Sequence, residues 1–329
     1  MAQGSVLFIG GTGIISSACV RQAQARGLAV TVLNRGESST RPLPDDVESV
    51  RGDIRSPDSV REALGGREFD TVAEFVAFAP EHVQADLELF EGRTGQYVFI
   101  SSASAYQTPP SRLPITESTP LRNPFWQYSR DKIACEDVLV EAYRERGFPA
   151  TIVRPSHTYD RTALPTMGGF TDIDRMLRGA PVVVHGDGTS LWTITHNTDF
   201  AVAFAGLLGR PEAVGEAFHI TSDEAPTWNQ IYTWLGHAAG AEPELVHVTS
   251  EAIAREVPDL GPGLLGDKAH SMVFDNSKVT SLVPDFRARV PFADGAREIV
   301  EWYLADRSRQ HVDAELDAAF DRLVARARQ

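Results

Sequence analysis

Residues 6–16 read VLFIGGTGIIS, an apolar run, a glycine-rich turn and the start of a helix. Residues 6–9 are apolar and short, as in a buried strand. Gly10-Gly11-Thr12-Gly13 turns the chain, and Ile15, Ala18, Cys19 and Ala23 then follow at helical spacing up to the stop signal Arg26-Gly27. A glycine-rich turn between a strand and a helix is where a pyrophosphate is held. Glycines let the backbone approach the phosphates, and the helix N-terminus offers free N–H groups and the positive end of its dipole. Gly10, Thr12, Gly13, Ile14 and Ile15 are the residues expected to hold it. Many strand-to-helix turns contain glycine without binding anything, but this one opens the first β–α–β unit, where a dinucleotide would sit.

Outward from that turn, short apolar runs at residues 29–33, 47–50, 71–77, 97–100 and 150–153 alternate with helical stretches near 82–90 and 129–146. That alternation implies an α/β protein with a doubly wound parallel sheet covered on both faces. After Arg154-Pro155 the character changes: residues 156–188 are rich in Gly, Pro and Thr, and loops of that length usually carry function. Helices are expected at 198–208 and 228–239 and a strand at 218–220. Val312, Leu316, Ala319, Phe320, Leu323 and Val324 share one face of a C-terminal amphipathic helix. Residues 1–155 are therefore expected to bind dinucleotide. Residues 156–329 are expected to form mainly a smaller substrate-binding lobe, with a return to the first domain near 190–220.

The chain has 329 residues and a formal net charge of −14. An acidic chain repels phosphate backbones and anionic lipid, so neither nucleic acid nor a membrane surface is an expected partner. Two cysteines, Cys19 and Cys135, make no disulfide framework and lack metal-ligand spacing, so no metal is expected. No apolar run approaches the ~20 residues of a membrane span. A strand as early as residues 6–9 leaves no room for a signal peptide. A cytoplasmic location is expected.

The sharpest chemical signal is Tyr128-Ser129-Arg130-Asp131-Lys132. On a helix i and i+4 share a face, so phenol and ammonium can meet one ligand. A nearby cation lowers a tyrosine pKa, which suits proton transfer. Lysine is scarce here, being found only at 132, 268 and 278. An incidental exposed pair is the alternative. Ser102 follows the run at 97–100, at the carboxyl edge where open parallel sheets bind ligands. Asn34-Arg35 ends the second strand where NAD-binding chains place a ribose-binding acid. With no acid there and Arg35 able to bind a 2′-phosphate, NADP is favoured and NAD stays open, the plain alternative being a solvated arginine. Asp53-Ile54 is placed to bracket an adenine edge, or is an ordinary turn.

Together these pieces resemble the short-chain dehydrogenase/reductase superfamily, in its extended branch of sugar-nucleotide epimerases, dehydratases and reductases. The resemblance covers nearly the whole chain and includes Arg154-Pro155, the Asp199 region and Asp275-x-Ser277-Lys278. It implies a Rossmann domain with a C-terminal substrate lobe. Ser102, Tyr128 and Lys132 fall on the family's catalytic positions. Lys132 would hold the nicotinamide ribose and, with the oxidised ring, depress the Tyr128 pKa; Ser102 would orient the substrate oxygen. Val76, Pro155 and His157 complete the expected cofactor wall, and Ser104, Trp126, His157 and Trp192 the substrate wall. Either tryptophan is as readily a core residue, and His157 a structural one.

The chain departs from the family pattern at three places. Ser16 replaces the third glycine of the turn. Ala103 and Ser104 stand where dehydratases carry Asp-Glu, which disfavours dehydration. Trp192 stands where many nucleotide-sugar enzymes carry a diphosphate-binding arginine. The first expectation is an NAD(P)-dependent oxidoreductase acting on a secondary alcohol or ketone of a sugar-like small molecule. An epimerase with tightly held cofactor is the alternative. A non-catalytic nucleotide sensor is disfavoured by the Tyr-Lys pair, and RNA binding, known in plastid relatives of this branch, by the acidic charge. Relatives often pair through the helix at 129–146, so a homodimer is open.

Overall fold

The run ahead of the glycine turn forms β1 (Ser5–Ile9), which is buried on both faces. Val6 and Phe8 enter one apolar cluster, Leu7 and Ile9 the other, as the two-residue period of a strand demands. The computed structural model of the protein describes residues 4–37 and 40–329. β2 (Ala29–Asn34), β3 (Glu48–Arg51), β4 (Phe69–Glu74), β5 (Thr94–Ile100) and β6 (Ala150–Pro155) join β1, with the later strand Ala217–Ile220, in one sheet. From one edge the order is Ala217–Ile220, β6, β5, β4, β1, β2, β3, with every pairing parallel. The order reverses beside β1, and a crevice at the carboxyl ends of the strands opens there. This is the expected Rossmann-type sheet.

One face is covered by α1 (Ile14–Ala25) and the helix Asn197–Leu207, through Ala18, Cys19, Phe200 and Phe204. The other carries α2 (Pro57–Leu64), α3 (Pro80–Phe90) and α4 (Gln127–Arg146), through Val60, Val83, Leu87, Cys135 and Leu139. Residues 197–220 thus return to the first sheet. A third cluster around Trp192, Trp228, Ile231 and Tyr232 forms the core of the smaller part. Two parallel strand pairs accompany it: Val182–His185 with Leu245–Val248, and His157–Tyr159 with Ile194–His196.

The apolar run at 71–77 is a strand only to Glu74, whose buried carboxylate turns to accept the Val76 N–H and ends the ladder. The C-terminal helix Ala314–Ala327 buries Ala319, Phe320, Leu323 and Val324 as expected. Val312 lies before its Asp313 cap and is exposed. No helix of the described residues is long and apolar enough to cross a membrane.

Candidate active site

A cavity of about 310 Å³ lies at the carboxyl ends of β1, β2 and β4, lined by Gly10, Thr12, Asn34, Arg35, Asp53, Ile54 and Val76. Gly10 has φ +83, which favours glycine, and a Cβ there would stand 2.5 Å from Val76 Cγ1. The Gly13 N–H donates to Ser16 Oγ at 2.9 Å, so the serine replacing the third glycine fastens the first turn of α1. The next amides of α1 have no intrahelical acceptor, the usual state of a helix start that binds an anion. Ile14 does not line this cavity; its carbonyl accepts a hydrogen bond from Asn197 Nδ2 at 2.8 Å, tying α1 to the neighbouring helix. Asp53 is held by its own turn, Oδ1 accepting the Arg55 N–H at 2.9 Å.

Arg35 is exposed and pairs with Glu37 at 3.1 Å. Exposed pairs contribute ~0–1 kcal/mol, so the guanidinium is free to take another anion. Glu37, Arg55 and the exposed Phe78 also line this cavity and were not singled out by sequence reasoning.

Along α4, Tyr128, Lys132 and Glu136 fall in one stripe at i, i+4 and i+8. Lys132 is 1% exposed, and its Nζ donates to the carbonyls of Ala77 and Ile100, each at 2.7 Å. An ammonium has three N–H donors, so one remains for a ligand. The rings of Phe78 and Phe99 each lie 4.8 Å from Nζ, and burial pushes the Lys132 pKa down to about 8. Below Lys132, Glu136 accepts Arg154 Nε at 2.9 Å and also binds Arg154 Nη2 and the Ser101 hydroxyl.

Tyr128 differs from the sequence expectation. Burial pushes its pKa up to about 12, against a hydrogen bond from Ser102 that favours the phenolate. Lys132 Nζ lies 5.8 Å from the Tyr128 ring centroid. Burial is therefore the largest influence on Tyr128, and it favours the neutral phenol. Ser102 caps the short turn Ala103–Ala105, its Oγ 2.9 Å from Ser104 Oγ. Ser129 donates to Ser104 Oγ at 2.8 Å, so Ser104 bridges the turn to α4.

A second cavity of about 280 Å³ adjoins Tyr128. Ile15, Ser102, Ser104, Trp126, Pro155, His157 and Trp192 all line it, so residues far apart in sequence converge on the phenol. The Trp126 ring stands 5.0 Å from that of Tyr128. Trp192 is 2% exposed and packs on Trp228 at 5.3 Å, a core residue with one side on the cavity. Burial, aided by Lys268, pushes the His157 pKa down to about 3. A neutral imidazole at pH 7 lines the wall but carries no charge. Sequence reasoning missed Asp267, Lys268, Met272 and Phe274 on the same wall; the scarcity of lysine that drew notice to Lys132 applied equally to Lys268.

Comparison with known proteins agrees with this fold. A model of the "NAD dependent epimerase/dehydratase family" matches residues 6–221. The chain belongs to that family. It is an enzyme of the extended short-chain dehydrogenase/reductase type, a family of NAD(P)-binding reductases, epimerases and dehydratases acting on sugars. The 2′-dehydrokanamycin reductase of Streptomyces kanamyceticus is 28% identical over 325 residues, covering 98% of this chain and 90% of that protein. The chloroplast stem-loop binding protein of 41 kDa b of Arabidopsis thaliana is 27% identical over 256 residues, 74% of this chain and 65% of its own. The structure of UDP-glucose 4-epimerase from Bifidobacterium longum in complex with NAD+ and UDP superposes with a TM-score of 0.73. It is 18% identical, and the match covers 93% of this chain and 100% of that one. At that identity the likeness is one of fold.

Proposed function

We propose that this family member is an NAD(P)H-dependent reductase of a ketone on a sugar-like small molecule, with Ser102, Tyr128 and Lys132 as its working groups. The observation that carries the reading is the buried Lys132, with two N–H groups spent on Ala77 and Ile100 and one left beside a protonated Tyr128. The near full-length likeness to a reductase supports reduction over epimerisation. Residues 156–329 supply most of the substrate wall in this reading.

The first cavity and the free N–H of Lys132 fit a dinucleotide that runs from β2 to α4; when bound, its nicotinamide supplies the hydride. Gly10, Thr12 and the start of α1 hold the pyrophosphate, and Asp53 and Ile54 flank the adenine. Lys132 fixes the nicotinamide ribose, with Val76, Pro155 and His157 about the ring. The Ser102 hydroxyl hydrogen-bonds the ketone oxygen and positions it, keeping its own proton. Tyr128 then gives its phenolic proton to that oxygen as charge develops there. A phenol pKa near 12 is still below that of an alkoxide, so the transfer runs downhill. Lys132 stabilises the phenolate left behind. Trp126 and Trp192 present indole surface to the sugar ring.

Because the Lys132 charge serves that last step, kcat/KM falls as pH rises through about 8 and the ammonium loses its proton. A pH–rate profile with NADPH that stays flat to pH 10 contradicts this role.

For the cofactor, the reading favours NADP, with Arg35 leaving Glu37 to take the 2′-phosphate. Arg35→Ala is expected to weaken NADPH binding roughly ten- to a hundredfold, the worth of one or two charge-assisted hydrogen bonds, and NADH binding little. Titration of both nucleotides by fluorescence checks it, and equal losses count against the assignment.

A further inference from the structure

The substrate cavity contains two charged side chains, and they are neighbours. Asp267 and Lys268 end the π-helical segment Leu264–Lys268, and both line the cavity. Asp267 is 9% exposed, and its carboxylate accepts no hydrogen bond from any described residue within ordinary reach. Its one cationic contact, Lys268 Nζ, lies at 3.6 Å. A charge-assisted hydrogen bond closes to about 2.7–2.9 Å, so this pair is held apart. Lys268 Nζ also lies 5.5 Å from the Trp192 ring centroid. The Trp192 indole N–H is buried and meets no acceptor among the described residues. A buried polar group left without a partner is costly, and this one stands beside a loosely closed ion pair, an arrangement that a ligand completes.

The backbone holds this wall in place. The Lys268 carbonyl accepts His185 Nε2 at 3.0 Å, Trp228 Nε1 at 3.2 Å and Ser190 Oγ at 3.3 Å. Asn123 Nδ2 donates to the Gly266 carbonyl at 2.7 Å and to that of Ser104 at 2.9 Å, tying the segment to the turn beside Ser102. The side chains of Asp267 and Lys268 are thus carried on fixed backbone while their own charges stay incompletely paired.

We propose that Asp267 and Lys268 are the specificity-determining pair for an unphosphorylated sugar or aminocyclitol, one ring hydroxyl donating to Asp267 and accepting from Lys268 against Trp192. A hydroxyl is the common sugar group that both donates and accepts, so it satisfies the two charges at once. The inference rests on the sugar-reductase reading above and adds to it a choice of substrate class. No arginine lines the cavity, and its one ammonium is offset by the adjacent carboxylate. A nucleotide diphosphate would lose its hydration there without a net positive partner, inside a chain of net charge −14.

The test is calorimetric titration of the NADP+-loaded protein with kanamycin A, methyl α-glucoside and UDP-glucose. At least one of the two unphosphorylated ligands is expected to bind ten or more times tighter than UDP-glucose. Asp267→Asn and Lys268→Met should each weaken that binding about tenfold while NADPH affinity stays unchanged. Should either variant fold poorly, the double variant Asp267→Asn/Lys268→Met removes both charges together and should lose the same preference. Tighter binding of UDP-glucose, no binding of either unphosphorylated ligand, or variants that bind as the parent does would each overturn the proposal. Failure of the redox reading would show separately, as wild-type protein that does not bind NADPH.

Discussion

Tyr128→Phe should lower kcat by about 10²–10⁴-fold and leave NADPH affinity within roughly threefold of the parent. The change removes one oxygen and keeps the ring, so the 5.0 Å contact with Trp126 and the packing of α4 survive. Lys132 keeps both carbonyl acceptors, so the ribose contact survives as well. What disappears is the proton held at the substrate oxygen. Ser102 can orient that oxygen but is a far weaker acid, and His157 is neutral at working pH and has no proton to spare as an acid. Single-turnover oxidation of NADPH, followed by absorbance, separates the chemical step from binding. Near-normal turnover in the variant would remove Tyr128 from the mechanism.

The largest expected effect on stability is that of Glu136→Ala, about 3–5 kcal/mol, because it strands a buried guanidinium. Arg154 sits on β6 with its side chain 6% exposed, and Glu136 on α4 is its carboxylate partner. The same carboxylate accepts the Ser101 hydroxyl at the end of β5, so one group joins two strands to the helix that carries Tyr128 and Lys132. Arg154 also lies 4.9 Å over the Tyr106 ring, a contact that cannot replace the lost charge. A fall in Tm on the order of 10 °C is expected by thermal unfolding. Glu136→Gln keeps hydrogen-bonding atoms and should lose less. An unchanged Tm in Glu136→Ala would show that solvent reaches Arg154.

The parts legible in the sequence are those whose physics is local. The glycine turn follows an apolar strand and opens a helix within a dozen residues, so its role in the sheet could be read directly. The Tyr128–Lys132 spacing places both side chains on one face of any helix, whatever the tertiary structure. The direction of the Tyr128 pKa could not be read, because it depends on how deeply the phenol is buried, and burial comes from residues elsewhere in the chain. Trp192 reads equally as platform or core from sequence; in the structure it is packed on Trp228 and touches the cavity with one side. Asp267 and Lys268 reach the site from a π-helical segment far from Tyr128 in sequence, pinned by His185, Ser190, Trp228 and Asn123. No local pattern announces that convergence.

The proposed reductase must exchange its cofactor at every turnover. Denaturing freshly purified, dialysed protein and identifying any released nucleotide by mass spectrometry tests it most directly, followed by titration of the native protein with NADPH. Reductase chemistry predicts protein free of stoichiometric nucleotide that binds NADPH reversibly. One equivalent of NAD or NADP retained through dialysis would contradict it and point to an epimerase that returns the hydride to its own substrate.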